Sequence, residues 1–226
     1  MHSDAPAAQV KQVASELQFD NPIVLYGFKL SGHSHRAELM LRVLDLPYSF
    51  HKVDLIKRKQ KAPAYLSLNP FGTVPTIDDN GTVVTDSTAI LVYLATKYDP
   101  SRIWLPADPA MAARVQGWLS IAQTLLFNGP HTARLIKAFG APLDYQRAKG
   151  ISERLLDVLE AHLRARAFLI GSTAPTIADI ALCYVAQAPE GDIPLLPYPG
   201  VRAWLDRMAA LPGFEAMPPV RAGLAA

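Results

Sequence analysis

The segment 69–90, with the sequence NPFGTVPTIDDNGTVVTDSTAI, concentrates groups that could hold a small peptide ligand. Asp86 and Ser87 place a carboxylate and a hydroxyl at a predicted helix start, where exposed N–H groups and the helix dipole favour bound anions. The pair could therefore hold the ammonium and carboxylate groups of a ligand. It could equally serve as an ordinary helix cap, because Asp and Ser are preferred there. The residue types alone leave both interpretations open.

The dipeptide Val74–Pro75 offers a second way to hold a peptide. Pro75 lacks an N–H group, so it belongs at the start or edge of a strand, and the residue before it is driven into an extended conformation. If the bond is cis, Val74 turns both its N–H and its C=O outward as a paired donor and acceptor. Only about 5–6% of X-Pro bonds in folded proteins are cis, so composition alone favours trans.

The elements around these residues predict a small α/β domain. A buried-type strand over 23–27 leads through the loop 28–35 into an amphipathic helix that ends near residue 46. The turn 79–81, Asp-Asn-Gly, predicts a hairpin, and a helix follows over 86–98. Three further strands are predicted, over 49–53, 74–77 and 82–85.

From residue 110 onward the apolar spacing becomes helical. Pro100, Pro106 and Pro109 interrupt the chain just before it, which indicates a linker between two domains. Helices are predicted over 110–127, 145–168, 176–187 and 200–211. The resulting division is an N-terminal extension over 1–21, an α/β domain over 22–99, a linker over 100–109 and an all-helical domain over 110–226.

Composition excludes several classes of protein. Half of the 226 residues are hydrophobic, and 22 Lys and Arg against 20 Asp and Glu leave a net charge of +2, which does not favour nucleic acid binding. The single cysteine rules out an internal disulfide and most cysteine-based metal sites. No apolar run has membrane-spanning length, and the first 20 residues do not read as a secretory signal. We therefore expect a cytoplasmic protein with no membrane partner.

Four pieces of the chain, taken in order, resemble the glutathione transferase family: LYGFKLSGHSHRAEL, NPFGTVPTID, the pair Asp86-Ser87, and TIADIALCYVAQ. The resemblance covers almost all of residues 22–213 and is to the Ser-type, bacterial theta- and zeta-like enzymes. It implies an α/β thioredoxin-like N-terminal domain followed by an all-α helical C-terminal domain. It also implies glutathione as co-substrate, no metal, and a C2 homodimer.

By the same resemblance, Ser31 is the catalytic residue that activates the thiol of glutathione. A free thiol with a pKa of about 8.5 is only slightly ionised at neutral pH, and a hydroxyl donor favours the thiolate by a charge-assisted hydrogen bond. Ser34 is the alternative, since it could instead cap the first helix. His33 and His35 could polarise the thiol or could simply be surface residues at the helix start. The zeta-like pattern has a cysteine where His33 stands.

The resemblance also assigns the contacts with glutathione. Val74 would pair its backbone with the cysteinyl residue of the tripeptide, ahead of a cis Pro75. Asp86 and Ser87 would hold the γ-glutamyl end, and Gln60 the glycine carboxylate. A second, electrophilic substrate is expected between the two domains, and the candidates for the walls of its site are Phe28, Leu30, Trp118, Phe127 and Arg134.

Two features of the helical half receive structural interpretations. Thr176 and Asp179 have the spacing of a capping box, in which the carboxylate reaches back to the N–H of the cap residue. Cys183 lies in the most apolar helix and is expected to be a buried small hydrophobic residue rather than a reactive thiol.

The resulting functional prediction is a glutathione transferase that conjugates small electrophiles by thiolate addition or displacement. Two alternatives remain at this point. One is a specialised glutathione-dependent isomerase or dehalogenase on the same fold. The other is a non-catalytic glutathione-binding scaffold.

Overall fold

The computed structural model describes residues 21–171 and 173–220, so the predicted N-terminal extension lies almost wholly outside the described residues. The described chain divides into two compact units, with the boundary between Leu105 and Pro106, inside the segment predicted as a linker. Residues 211–217 belong to the first unit rather than the second, and this return of the chain was not predicted from the sequence.

The first unit is built on a four-stranded mixed sheet. Its strands are β1 (Ile23–Gly27), β2 (Tyr48–Lys52), β3 (Thr76–Asp79) and β4 (Thr82–Thr85). The order across the sheet is β2-β1-β3-β4, with β1 and β2 parallel and the other two pairings antiparallel. β1 alternates fully buried residues such as Ile23 and Leu25 with half-buried ones, as a central strand should.

Helices of the first unit are α1 (Gly32–Val43), α2 (Pro63–Leu66) and α3 (Ser87–Tyr98), with a 3₁₀ turn at Lys59–Lys61. α1 ends three residues before the predicted end near residue 46. Asp45 adopts a left-handed conformation with φ 53°, and the N–H of Leu46 returns to the carbonyl of Leu41. Apolar periodicity carries no signal for this kind of C-terminal cap. The unit is the thioredoxin-like α/β domain that the sequence predicted.

The second unit is helical. Its elements are α4 (Pro109–Ile121), a π-helix (Ala122–His131), α5 (Thr132–Phe139), α6 (Tyr145–Leu163), α7 (Ile177–Leu182), a 3₁₀ helix (Cys183–Gly191) and α8 (Pro199–Ala209). The fold class predicted from the sequence, an α/β domain followed by a helical one, is therefore confirmed. No helix among the described residues is long and apolar enough to span a membrane.

Two of the predicted helices have an irregular second half. The helix predicted over 110–127 changes to a π-helix at Ala122, and the one predicted over 176–187 changes to a 3₁₀ helix at Cys183. Each of the two irregular elements contains a proline, Pro130 or Pro189, just beyond the predicted end of the helix. Proline has no N–H group and clashes with the preceding turn, so a regular α-helix cannot continue through it.

The capping box predicted at the start of α7 is present. Thr176 accepts a hydrogen bond from the N–H of Ala178, and Asp179 accepts one from the N–H of Thr176 at 2.8 Å. The Asp179 carboxylate also accepts from the N–H of Leu169 at 2.9 Å and from the indole of Trp204 at 3.0 Å. Asp179 therefore fixes two other segments of the unit besides its own helix. Cys183 is buried, as predicted.

Candidate active site

The Val74–Pro75 bond is cis and directly precedes β3. Two side chains hold the backbone just before it. Tyr65 donates its hydroxyl to the carbonyl oxygen of Thr73 at 2.7 Å, and Asn69 donates its amide to the same oxygen at 2.9 Å. Burial raises the pKa of Tyr65, which keeps its hydroxyl a hydrogen-bond donor. The position of Val74 is thus fixed by buried polar groups.

Asp86 is the N-cap of α3. Its Oδ1 atom accepts from the N–H groups of Thr88 at 2.8 Å and Ala89 at 3.0 Å, and from the Thr88 hydroxyl at 2.6 Å. Burial alone would raise the pKa of Asp86, but these hydrogen bonds outweigh it and hold the pKa below its ordinary value. Asp86 also has a strained backbone, with φ 72°. The capping interpretation is therefore confirmed, and it leaves the carboxylate ionised at neutral pH.

Ser87 joins α3 to α1. Its Oγ atom lies 2.9 Å from Nη1 of Arg36 and 2.9 Å from Nδ1 of His33. Ser87 and Arg36 are both buried, which is unusual for an arginine on a helix. The imidazole of His33 thus contacts the residue predicted to bind the γ-glutamyl end, and the prediction that it polarises the thiol gains no support from this contact.

Ser31 and Ser34 differ sharply in environment. Ser31 is the half-buried N-cap of α1, and its Oγ accepts from the N–H of Ser34 at 3.3 Å. Ser34 is fully buried, and its Oγ accepts from the N–H of Phe28 at 3.1 Å. A Cβ atom on Gly27 would come within 3.1 Å of that Oγ, so Ser34 fills the space beside β1. The two serines are therefore not interchangeable.

His35 points toward the returning segment of the chain. Its Nε2 atom lies 2.8 Å from the carbonyl oxygen of Glu215. Burial lowers the pKa of His35, and the hydrogen bond with Glu215 only partly opposes that effect. This contact gives His35 a role in attaching the returning segment to α1.

Gln60 lies in the 3₁₀ turn next to the Gly72 bend. Its Oε1 atom is buried and has no hydrogen-bond partner among the described residues. Gly72 has φ +59°, and a Cβ there would lie 2.8 Å from the carbonyl oxygen of Gln60, so only glycine allows the two segments to meet. Lys61 spans the same junction by donating to the carbonyl of Phe71 at 3.0 Å.

The residues predicted to form the wall of an electrophile site lie in both units. Phe28 and Leu30 are in the loop after β1, and Leu30 is half-buried like Phe28. In the second unit, Trp118 packs edge-on against His162 with ring centroids 5.1 Å apart. Phe127 is 39% exposed and stacks on His131 at 5.0 Å.

Arg134 departs from its predicted role. Its side chain is 1% exposed, and its Nε atom pairs with a carboxylate oxygen of Glu190 at 2.5 Å. Nη1 lies 3.4 Å from the hydroxyl of Tyr184. A guanidinium this buried has little surface for contact with a substrate. We therefore assign Arg134 a structural role, which is to hold α5 against the 3₁₀ helix.

Comparisons with known proteins agree with these features. Residues 25–102 match the family model "Glutathione S-transferase, N-terminal domain", and residues 144–207 match "Glutathione S-transferase, C-terminal domain". "Glutathione S-transferase 3" of Zea mays is 32% identical over 208 residues, which cover 86% of this chain and 92% of the relative. The "Maleylacetoacetate isomerase" of Rhizobium meliloti is 32% identical over 216 residues, covering 89% and 98%.

Among solved structures, a glutathione S-transferase from Pseudomonas fluorescens superimposes with a TM-score of 0.81 at 32% identity, covering 87% of this chain and 99% of that one. The chain belongs to the glutathione S-transferase family. The predicted fold, the transferase class and the use of glutathione are thereby confirmed. The residues that contact glutathione remain predictions.

Sequence reasoning did not identify Tyr65, Asn69 or the contact between Arg36 and Ser87. Asn69 begins a turn, in which its Oδ1 atom accepts from the N–H of Phe71 at 3.1 Å, and its amide nitrogen also donates to the carbonyl of Thr73. The sequence held one indication of the role of Arg36. This charged residue lies on the face of α1 that is buried. Among the described residues, no group of three or more His, Cys, Asp or Glu side chains could hold a metal ion.

Proposed function

We propose that this transferase conjugates reduced glutathione to small electrophiles, with Ser31 stabilising the thiolate. The observation that carries the proposal is the hydrogen bond from the N–H of Ser34 to Oγ of Ser31. Since that bond uses a lone pair of the hydroxyl, the proton of Ser31 stays available for a sulfur anion. The start of α1 adds a partial positive charge at the same place.

In the proposed reaction, the thiolate of glutathione attacks an electrophilic carbon. A carbon–sulfur bond forms, and a leaving group departs with its electron pair or, in an addition, the displaced π electrons form a carbanion that takes a proton from solvent. The thiol proton goes to solvent. The protein needs to supply no nucleophile of its own, and its single cysteine, Cys183, is buried. This favours conjugation over a thiol-exchange mechanism that needs a protein thiolate.

Glutathione itself is proposed to bind along the first unit. The backbone of Val74, ahead of Pro75, would pair with the cysteinyl residue. Asp86 would hold the ammonium group of the γ-glutamyl end and Ser87 its carboxylate. Gln60 would meet the glycine carboxylate through the N–H groups of its side-chain amide, since its backbone carbonyl lies beside the Gly72 bend that leads to Val74.

For the electrophile, Phe28, Leu30, Trp118 and Phe127 remain the proposed contacts. We further propose a homodimer that works in the cytoplasm. Ile56 and Phe71 of the first unit are 78% and 76% exposed, and large apolar side chains left this open are common at protein interfaces. Elution at monomer size in gel filtration would contradict the dimer.

The test of the proposed function compares Ser31→Gly and Ser31→Ala with the wild type in conjugation of an activated chloronitrobenzene. Glycine retains most of the capping free energy and alanine does not, while both remove the hydroxyl. We expect both variants to lose about 10- to 100-fold in kcat/KM, the value of a hydrogen bond to a charged group. The ultraviolet absorbance of bound thiolate should titrate at higher pH in both.

Full activity in either variant would contradict the role of Ser31. Failure of the wild type to conjugate any electrophile while it binds glutathione would favour a scaffold. The glycine variant separates the loss of the hydroxyl from the loss of the helix cap, because its melting temperature should stay close to that of the wild type.

A further inference from the structure

The hydroxyl of Ser87 lies between two nitrogen atoms of α1. Nη1 of Arg36 and Nδ1 of His33 are each 2.9 Å from Oγ of Ser87, and Ser87 is 1% exposed. Both distances are those of good hydrogen bonds. The protonation of His33 therefore decides how the single proton of the Ser87 hydroxyl is used.

A hydroxyl has one proton to donate and two lone pairs that accept. Arg36 always donates, because the guanidinium stays protonated in proteins. When Nδ1 of His33 carries no proton, Ser87 must donate to it. The hydroxyl proton is then used in a hydrogen bond within the protein and is not available to a ligand. When Nδ1 is protonated, His33 donates as well. Both lone pairs of Ser87 are then occupied, and its proton is released toward a ligand.

We infer that His33 is a positioning residue that makes Ser87 a donor to a bound carboxylate only when Nδ1 of the imidazole is protonated. The inference rests on the proposed function, in which Ser87 holds the γ-glutamyl carboxylate of glutathione. The proposed donating form is the imidazolium, so glutathione binding takes up a proton at His33. Affinity then falls as the pH rises through the titration of this histidine.

Charges of both signs lie around His33, and they act on the balance between the doubly protonated imidazole and a neutral ring with its proton on Nδ1. Asp86, at the start of α3, attracts the imidazolium electrostatically. The carboxylate of the ligand on Ser87 would attract it as well. The guanidinium of Arg36, one turn further along α1, repels the imidazolium. It contacts the same Ser87 hydroxyl as His33. The positive end of α1 and the ligand ammonium proposed to lie on Asp86 also oppose the imidazolium, so the number of protons taken up on binding is the quantity that decides between the two forms.

The pH dependence of turnover then has two sources, the thiol of glutathione and the imidazole of His33. A rising pH converts the thiol of glutathione into the reactive thiolate, which raises kcat. The same rise in pH withdraws the Ser87 hydroxyl from the γ-glutamyl carboxylate, which raises KM. A protein without a titratable group at position 33 would show only the first effect.

The experiment measures the binding of S-methylglutathione, whose sulfur cannot ionise, by isothermal titration calorimetry. Each pH is measured in two buffers that differ in ionisation enthalpy, so that the number of protons taken up is obtained directly. For the wild type we expect net proton uptake, with a Kd that rises about tenfold across the titration of His33, as expected for a hydrogen bond to a charged group.

His33→Asn is the decisive variant. Its side-chain amide can occupy the place of Nδ1 and donate to Ser87, and it does not titrate. We expect no proton uptake and a Kd that stays near the low-pH value of the wild type at every pH. His51→Asn is the matched control, because His51 is an exposed histidine on β2. It should keep the proton uptake of the wild type.

Binding of S-methylglutathione by the wild type without proton uptake would overturn the role of His33 and leave the proposed function intact. Uptake that persists in His33→Asn would overturn it too, by placing the proton on another group. The absence of binding at every pH would instead overturn the proposed function. The wild-type measurement is decisive on its own, so the test does not depend on the folding of a variant.

Discussion

The hydroxyl of Tyr65 donates a 2.7 Å hydrogen bond to the carbonyl oxygen of Thr73. The bond fixes the backbone one residue before Val74, and Asn69 reinforces it from a second direction. A carbonyl oxygen with two lone pairs can accept both. Because both donors are buried, a change at Tyr65 should shift the backbone of Val74, the residue that is proposed to pair with glutathione.

We predict that Tyr65→Phe raises the KM for glutathione about three- to tenfold while kcat changes little. The ring of Tyr65 remains to fill its space, so the variant loses only the hydrogen bond, worth about 0.5–1.5 kcal/mol. Steady-state kinetics with varied glutathione measures the split between KM and kcat.

Tyr48→Phe is the control for this prediction. It also deletes a tyrosine hydroxyl, which donates to Glu38 at 2.8 Å, but Tyr48 lies on β2, an edge strand that β1 separates from β3. Its KM for glutathione should match the wild type. An unchanged KM in Tyr65→Phe would show that the bond to Thr73 does not position Val74 for binding.

Ser34→Ala should affect stability and not chemistry. Its hydroxyl is fully buried and accepts from the N–H of Phe28, so its removal leaves a buried donor without a partner at a cost of about 1–3 kcal/mol. We expect a lower melting temperature and an unchanged kcat for the folded protein. A loss of turnover without a change in melting temperature would transfer the catalytic role from Ser31 to Ser34.

The sequence predicted the local elements of the first unit well. β1 was predictable to the residue because IVLYG is a compact apolar run, and the hairpin because Asp-Asn-Gly permits the positive φ angles that such a turn requires. Each of these signals lies within a few residues of the structure that it specifies.

Contacts between distant residues could not be predicted in the same way. Ser87 meets Arg36 and His33, which are 51 and 54 positions away, only because α1 and α3 pack in one unit. The burial of Arg36 reverses the usual expectation for a charged residue. The change from α-helix to π-helix at Ala122 was likewise hidden, since the apolar spacing of 110–127 is compatible with a regular helix.

Asp179→Ala is predicted to destabilise the protein by more than an ordinary helix cap would. Its carboxylate accepts hydrogen bonds from Thr176, Leu169 and Trp204 within the core. Removing it leaves several buried donors unpaired, and we expect a loss of about 3 kcal/mol or more in the free energy of unfolding. Chemical denaturation measures this loss.

Asp144→Ala provides the comparison for Asp179. Asp144 caps α6 by accepting one hydrogen bond from the N–H of Arg147 at 3.0 Å, and it is exposed. Its loss should cost about 0.5–2 kcal/mol. If the two variants lose the same stability, the interior hydrogen bonds of Asp179 contribute nothing beyond the cap.

Asp79, at the end of β3, should make the stability of the protein sensitive to acid. Its Oδ2 atom accepts from the hydroxyl of Tyr93 at 2.7 Å, the ammonium of Lys97 at 2.6 Å and the hydroxyl of Tyr98 at 2.6 Å. Burial alone would raise the pKa of Asp79, but these hydrogen bonds outweigh it and hold the pKa below its ordinary value. Burial and the bond to Asp79 raise the pKa of Tyr98 to about 12, so this donor stays protonated.

The sign of the pH effect follows from the lowered pKa. The stabilisation is fully present above the unfolded-state pKa of about 3.9, and it is lost as the pH falls through the lower pKa of the folded state. We expect Asp79→Asn to lose about 1–3 kcal/mol at neutral pH and to show a smaller decline between pH values of about 5 and 2. Asp78→Asn is the control. It changes the neighbouring carboxylate, which accepts from the N–H of Gly81 at 2.8 Å, and it should keep the acid dependence contributed by Asp79. Denaturation curves that decline equally with acid in the wild type and in Asp79→Asn would show that this carboxylate is not ionised more readily in the folded state.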